Sequence, residues 1–143
     1  MERARIDITQ DLEGDAVVHA VFDLSAEQLA AAAHAIGVTA RERFRMAEIS
    51  ADEVVEMREL TALADELSEL RDGASTVVMK PARLSAFRDA LSLFVESRER
   101  AEWIREADRE PLALLRELLL PLEQLSLEAM RAALAPDGHR SHS

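Results

Sequence analysis

Residues 15–29 read DAVVHAVFDLSAEQL, and the change of pattern inside that phrase decides the fold. Val17, Val18, Ala20, Val21 and Phe22 make a β-rich run, because branched and aromatic side chains suit a pleated, half-buried surface. At Ser25 the pattern becomes that of a helix start. The Ser25 hydroxyl can accept the amide of Gln28 while Gln28 reaches back, and Leu24 can staple to Leu29 across this cap. A strand running straight into a capped helix commits both element types to one core, which is the α+β class.

Upstream, Arg3 to Gln10 alternates, with Ile6 and Ile8 on one side and Asp7 and Thr9 on the other. The glycine-containing DLEGD joins the two runs, so residues 3–10 and 15–23 are expected to form a hairpin. Downstream, the helix-start phrase recurs as AEISADEV, residues 47–54, with Ser50 as cap, Glu53 closing the box and Ile49 stapling to Val54. Gly37 and Gly73 fit the left-handed position after a helix end, which predicts helices over 26–36 and 51–72. Between them, Arg43 to Ile49 alternates and suggests a short third strand whose outward Arg43 and Arg45 protect a sheet edge. STVVM, residues 75–79, is expected as a fourth strand. Pro81 then opens a long helix reaching about Ala107, with Leu84, Phe87, Leu91, Phe94 and Val95 as its apolar arc. Asp108 to Pro111 is expected to interrupt it.

The expected fold is therefore α+β: a small antiparallel sheet, the N-terminal hairpin plus two short strands, covered on one face by four to five helices. One domain is expected over residues 1–135, closed by a leucine-rich segment at 111–134, with 136–143 as a disordered tail.

That segment reads PLALLRELLLPLEQLSLEAMRAAL, and nine of the sixteen residues from Leu112 to Leu127 are leucine. On a straight helix, the leucines from Leu112 to Leu125 other than Leu120 span about 160°, wider than the roughly 100° stripe that one core covers. Each buried leucine contributes about 1.5–3 kcal/mol, so the surplus should find cover in this chain, a second copy or another protein. Pro121, which lacks the amide that would bond to Glu117, predicts a kink or a restart. We expect self-association as a homodimer through this region, with Trp103, Leu112, Leu115, Leu119 and Leu122 at the interface.

The formal net charge of −11 opposes nucleic acid and anionic membranes as general partners. The only basic patch with an aromatic inside it, Arg41, Arg43 and Arg45 around Phe44, is diluted by Glu42 and Glu48. There is no cysteine, which excludes disulfides, thiolate metal sites and thiol nucleophiles. No run reaches the roughly 18 apolar residues of a membrane span, and MERARIDITQ lacks the apolar stretch of an export signal. A bacterial-type cytoplasm is the expected setting, and lysine is nearly absent beside abundant arginine, in keeping with a GC-rich coding sequence.

Phosphate-binding glycine loops and the HExxH, GxSxG and calcium-loop spacings are all absent, so no catalytic residue, metal or cofactor is assigned. His19 and His34 have no neighbouring ligand spacing, and His139 and His142 sit in the polar tail. Three charges stand out because they fall on apolar arcs: Glu56 in helix 51–72, and Arg98 and Arg105 continuing the Phe87, Leu91, Phe94 line. A charge on an apolar face costs several kcal/mol unless paired. These residues are expected either to pair with one another or to line a polar pocket between helices 51–72 and 81–107 that holds a carboxylate or phosphate. The leading expectation is thus a non-enzymatic interaction or regulatory protein. The alternatives are a small ligand-binding or catalytic domain using that pocket, and an acidic inhibitor or immunity-type protein for a basic partner.

Overall fold

The computed structural model describes residues 1–45, 50–70 and 75–134. In chain order these form β1 (Glu2–Gln10), β2 (Ala16–Leu24), α1 (Ala26–Phe44), α2 (Ala51–Leu70), β3 (Ser75–Met79), α3 (Pro81–Glu99) and α4 (Glu106–Leu134). The architecture is α+β, with three antiparallel strands in the order β1-β2-β3 and four helices among the described residues.

The hairpin forms as its turn residues dictate. Gly14 takes the left-handed φ of 83° that a side chain would resist. The Asp11 carboxylate accepts the amides of Glu13 and Asp15 at 3.0 and 2.9 Å. Ile6 then pairs with Ala20, and across the sheet Ala20 pairs with Met79 and Phe22 with Val77. Ala20, Phe22, Leu24, Val77 and Met79 are buried on the face that meets the helices. The Phe22 ring lies 6.4 Å from that of Phe87 on α3.

Both helix starts are capped as their sequences require. The Ser25 hydroxyl accepts the Gln28 amide at 3.1 Å, and Gln28 Oε1 accepts the Ser25 amide at 3.0 Å. The Ser50 hydroxyl accepts the Glu53 amide at 3.2 Å. The first helix, however, runs through Gly37 to Phe44. A mid-helix glycine costs only about 1 kcal/mol, whereas continuing the helix buries Thr39 and Ala40 in line with Ala32, Ala35 and Ile36. Arg43 and Phe44, expected in a strand, are therefore the last turn of α1 with Arg45 as its C-cap, and 46–49 lies outside the described residues, as do Gly73 and the 136–143 tail.

The expected break at Asp108–Pro111 falls earlier. The apolar arc of α3 ends at Val95, and ESRER, residues 96–100, is polar, so nothing holds the helix to the core beyond Glu99. The chain turns over residues 100–105 and α4 starts at Glu106. It continues for 29 residues, without the restart expected at Pro121. The carbonyls that Pro111 and Pro121 leave without an amide belong to Ala107 and Glu117, both exposed residues, where water can take the place of the missing donor.

Leu112, Leu115, Leu118, Leu122, Leu125 and Ala129 are buried within the single chain. α4 lies against α1, α3 and the β1/β2 hairpin together. Three neighbours cover a wider arc than one, so most of the leucine surplus is absorbed internally. Leu112, Leu115 and Leu122, expected at an interface, are core residues instead.

Candidate functional site

The site is built where the end of α3, the start of α4 and the middle of α1 converge on Phe94. Phe94 is buried, and its ring is a platform shared by two polar side chains. His34 of α1 meets it edge-on, with centroids 5.9 Å apart. Arg98, one helical turn beyond Phe94, lays its guanidinium 4.7 Å from the ring centroid.

Asp108, in the first turn of α4, completes the cluster at only 4% exposure. Its Oδ1 lies 2.7 Å from His34 Nε2, and its Oδ2 accepts from Arg98 Nε at 3.0 Å. Burial alone would push the Asp108 pKa up, but the His34 and Arg98 hydrogen bonds and the charges behind them hold it below the ordinary 3.8. An ionised carboxylate can only accept, so His34 Nε2 is the donor in this bond. Arg98 spends its remaining reach on Ser97 Oγ at 2.8 Å and Glu42 Oε1 at 3.5 Å. The Ser97 hydroxyl in turn donates to the Phe94 carbonyl at 3.0 Å, which uses its one donor.

This cluster floors a cavity of about 530 Å³ whose walls include Arg41, Arg45, Trp103, Ile104 and Arg105. Arg98 and Arg105 both line this cavity, Arg105 as an exposed residue of the link after α3 and not on a helical stripe, and Glu56 is not with them. The buried stripe of α2 is Met57, Leu60, Leu63, Ala64 and Leu67, which leaves Glu56 exposed on its border. It lines a separate cavity of about 770 Å³ between α2 and α3, beside Arg43, Lys80 and Leu93. There the buried Nε of Arg43 has no hydrogen-bond partner among the described residues.

The partners of Arg98 are Asp108 and Glu42. Asp108 is ten residues from Arg98 across a chain reversal, so its pairing is not visible in the sequence. Two clues were present: it stands four residues before Leu112 on the buried stripe of α4, and three before Pro111, where an acidic side chain suits a helix N-terminus.

Of the expected interface residues, Trp103 is 72% exposed at the mouth of the cavity and Leu119 is partly buried. The outward apolar side chains of α4 are different ones: Leu120, Leu127, Met130 and Leu134. Among the described residues there is no helix long and apolar enough to cross a membrane and no group of three or more metal-ligating side chains. No protein-family model, curated protein or solved structure matches the chain.

Proposed function

We propose that the protein is a non-enzymatic interaction protein of the cytoplasm that self-associates as a dimer through the outward side of α4. The observation behind this reading is the row Leu120, Leu127, Met130 and Leu134, whose exposures run from 39% at Met130 to 78% at Leu134. Leu120, Leu127 and Leu134 recur every seven residues and Met130 falls between the last two, the spacing of a helix-pairing seam. The row covers about 21 Å of helix.

A second copy suits the row because an antiparallel pairing about a twofold axis at Leu127 is self-complementary. It sets Leu120 against Leu134 of the other copy and Glu123 against Arg131. Four apolar side chains per copy make a seam at the small end of the roughly 1,200–2,000 Å² that specific interfaces bury, so the dimer should be concentration-dependent.

Sedimentation of the purified chain tests this. The expected result is a dimer at high concentration that Leu127→Glu converts to a folded monomer. Glu123→Arg and Arg131→Glu should each weaken it, and the two together should restore it. A wild-type chain that stays monomeric at about 100 μM, far above the Kd of a micromolar complex, would overturn the reading. So would a dimer indifferent to Leu127→Glu.

A further inference from the structure

The cavity at the α1, α3 and α4 junction carries an electrostatic anomaly. In a chain of net charge −11, four of its seventeen cationic residues, Arg41, Arg45, Arg98 and Arg105, line one hollow. Two of the opposing carboxylates, Asp108 and Glu42, are already paired with Arg98. Both share one guanidinium, so with Glu102 the lining holds three carboxylates against four arginines, a formal balance of +1, and among the described residues Arg41, Arg45 and Arg105 form no ion pair. Three guanidinium groups without an ion-pair partner among the described residues, around a concave surface of net positive balance, make a local field opposite in sign to the chain's net charge, which favours an anion.

The second observation is Trp103. It stands 72% exposed on the link between α3 and α4, on the same cavity wall as Arg105. An indole left in water gives up one of the largest apolar burials a side chain can make. Its face is available to a planar ring, and Val38 and Ile104 supply apolar wall beside it. The floor beneath is held by the Asp108 bonds to His34 and Arg98 at 2.7 and 3.0 Å, so the hollow is formed before anything enters it. Its size, about 530 Å³, is that of a site for a small organic molecule.

We propose that this cavity binds a small planar aromatic anion, an aromatic ring carrying a phosphate or carboxylate, with the ring stacked on Trp103 and the anionic group held by Arg105 and Arg41. The ring supplies area and the arginines supply sign, so neither half of such a ligand should bind well alone.

Trp103 is the sole tryptophan in a chain without tyrosine, so its fluorescence reports the site directly. Titrations with adenosine monophosphate and with 2-naphthoate represent the two sources of the anion. Adenosine and 2-naphthalenemethanol are the ring halves, inorganic phosphate and acetate the anionic halves. At least one aromatic anion should saturate the signal, with its own halves at least about tenfold weaker, a difference of about 1.4 kcal/mol. Arg105→Glu, at an exposed position that leaves the fold intact by circular dichroism, should weaken it by about tenfold or more. Calorimetry on Trp103→Ala should show a comparable loss, which separates stacking from a mere optical effect. Three results would overturn the proposal: no saturation by either aromatic anion up to about 10 mM, equal affinity for the halves, or binding unchanged by Arg105→Glu.

Discussion

Replacing Asp108 by asparagine keeps the shape of the side chain and removes its charge, and the structure sets the size of the effect. Asp108 receives two donors, His34 Nε2 at 2.7 Å and Arg98 Nε at 3.0 Å, at a position only 4% exposed. An asparagine can accept from Arg98 with its oxygen and offer its NH₂ to His34 only if the imidazole shifts its proton to Nδ1, and in either case the charge opposite Arg98 is gone. Removing one partner of a buried ion pair costs about 3–5 kcal/mol, because the other charge is left without compensation. The lower end applies here, since Arg98 keeps Ser97 Oγ at 2.8 Å and the face of Phe94. We expect a loss of about 3 kcal/mol in urea denaturation followed by circular dichroism, or a Tm lower by about 6–12 °C.

The exposed Arg83–Glu66 pair, 3.3 Å apart, is the internal control: Glu66→Ala should cost under about 1 kcal/mol. The pH dependence gives a second test. Because the folded-state pKa of Asp108 is lowered from 3.8, its stabilisation is complete above that value and disappears as pH falls through the folded pKa. The gap between wild type and Asp108→Asn should therefore be constant near neutrality and shrink below about pH 4. A gap under about 1 kcal/mol at pH 7, or one that widens in acid, would refute the assignment of the ionised carboxylate as the element holding α1, α3 and α4 together.

Ser25→Ala, which removes the acceptor of the Gln28 amide, should cost about 1 kcal/mol in the same denaturation assay, with Ser25→Gly costing less. Leu115→Ala, at a fully buried site, should destabilise the chain by about 2–5 kcal/mol, whereas Leu120→Ala should change monomer stability by less than about 0.5 kcal/mol.

How much of this was legible in the sequence depends on the range of the interaction concerned. The hairpin, the Ser25 and Ser50 caps and the Pro81 helix start are decided by residues within four positions of one another, and each was read correctly from those neighbours. The end of α1 departs from the local preference of Gly37 because the burial of Thr39 and Ala40 outweighs it, and only the assembled core supplies that burial. The end of α3 differs for the converse reason: past Val95 only Arg98 is held, by Phe94 and Asp108, and no apolar side chain carries the helix beyond Glu99. Arg98 was identified because a charge on an apolar stripe must find compensation. Its partner could not be named, because a stripe says that a counter-charge is needed and not where the returning chain will deliver it.

The leucine-rich segment raises the same problem at larger scale. Its apolar arc was measured correctly, yet the number of neighbours α4 would have could not be read from the arc. With α1, α3 and the hairpin all in contact, the uncovered remainder moves from the start of the segment to Leu120 and beyond. This separates the two proposed activities in space. The anion cavity sits at Asp108, and the pairing row begins twelve residues further on and ends at Leu134, about 18 to 39 Å along the same helix. A ligand at the first and a second copy at the last therefore need not compete. Leu127→Glu should leave the Trp103 titration unchanged, and Arg105→Glu should leave the sedimentation unchanged. If either variant abolished both, α4 would have to transmit a change along its length, and the two faces would form one functional unit instead of two.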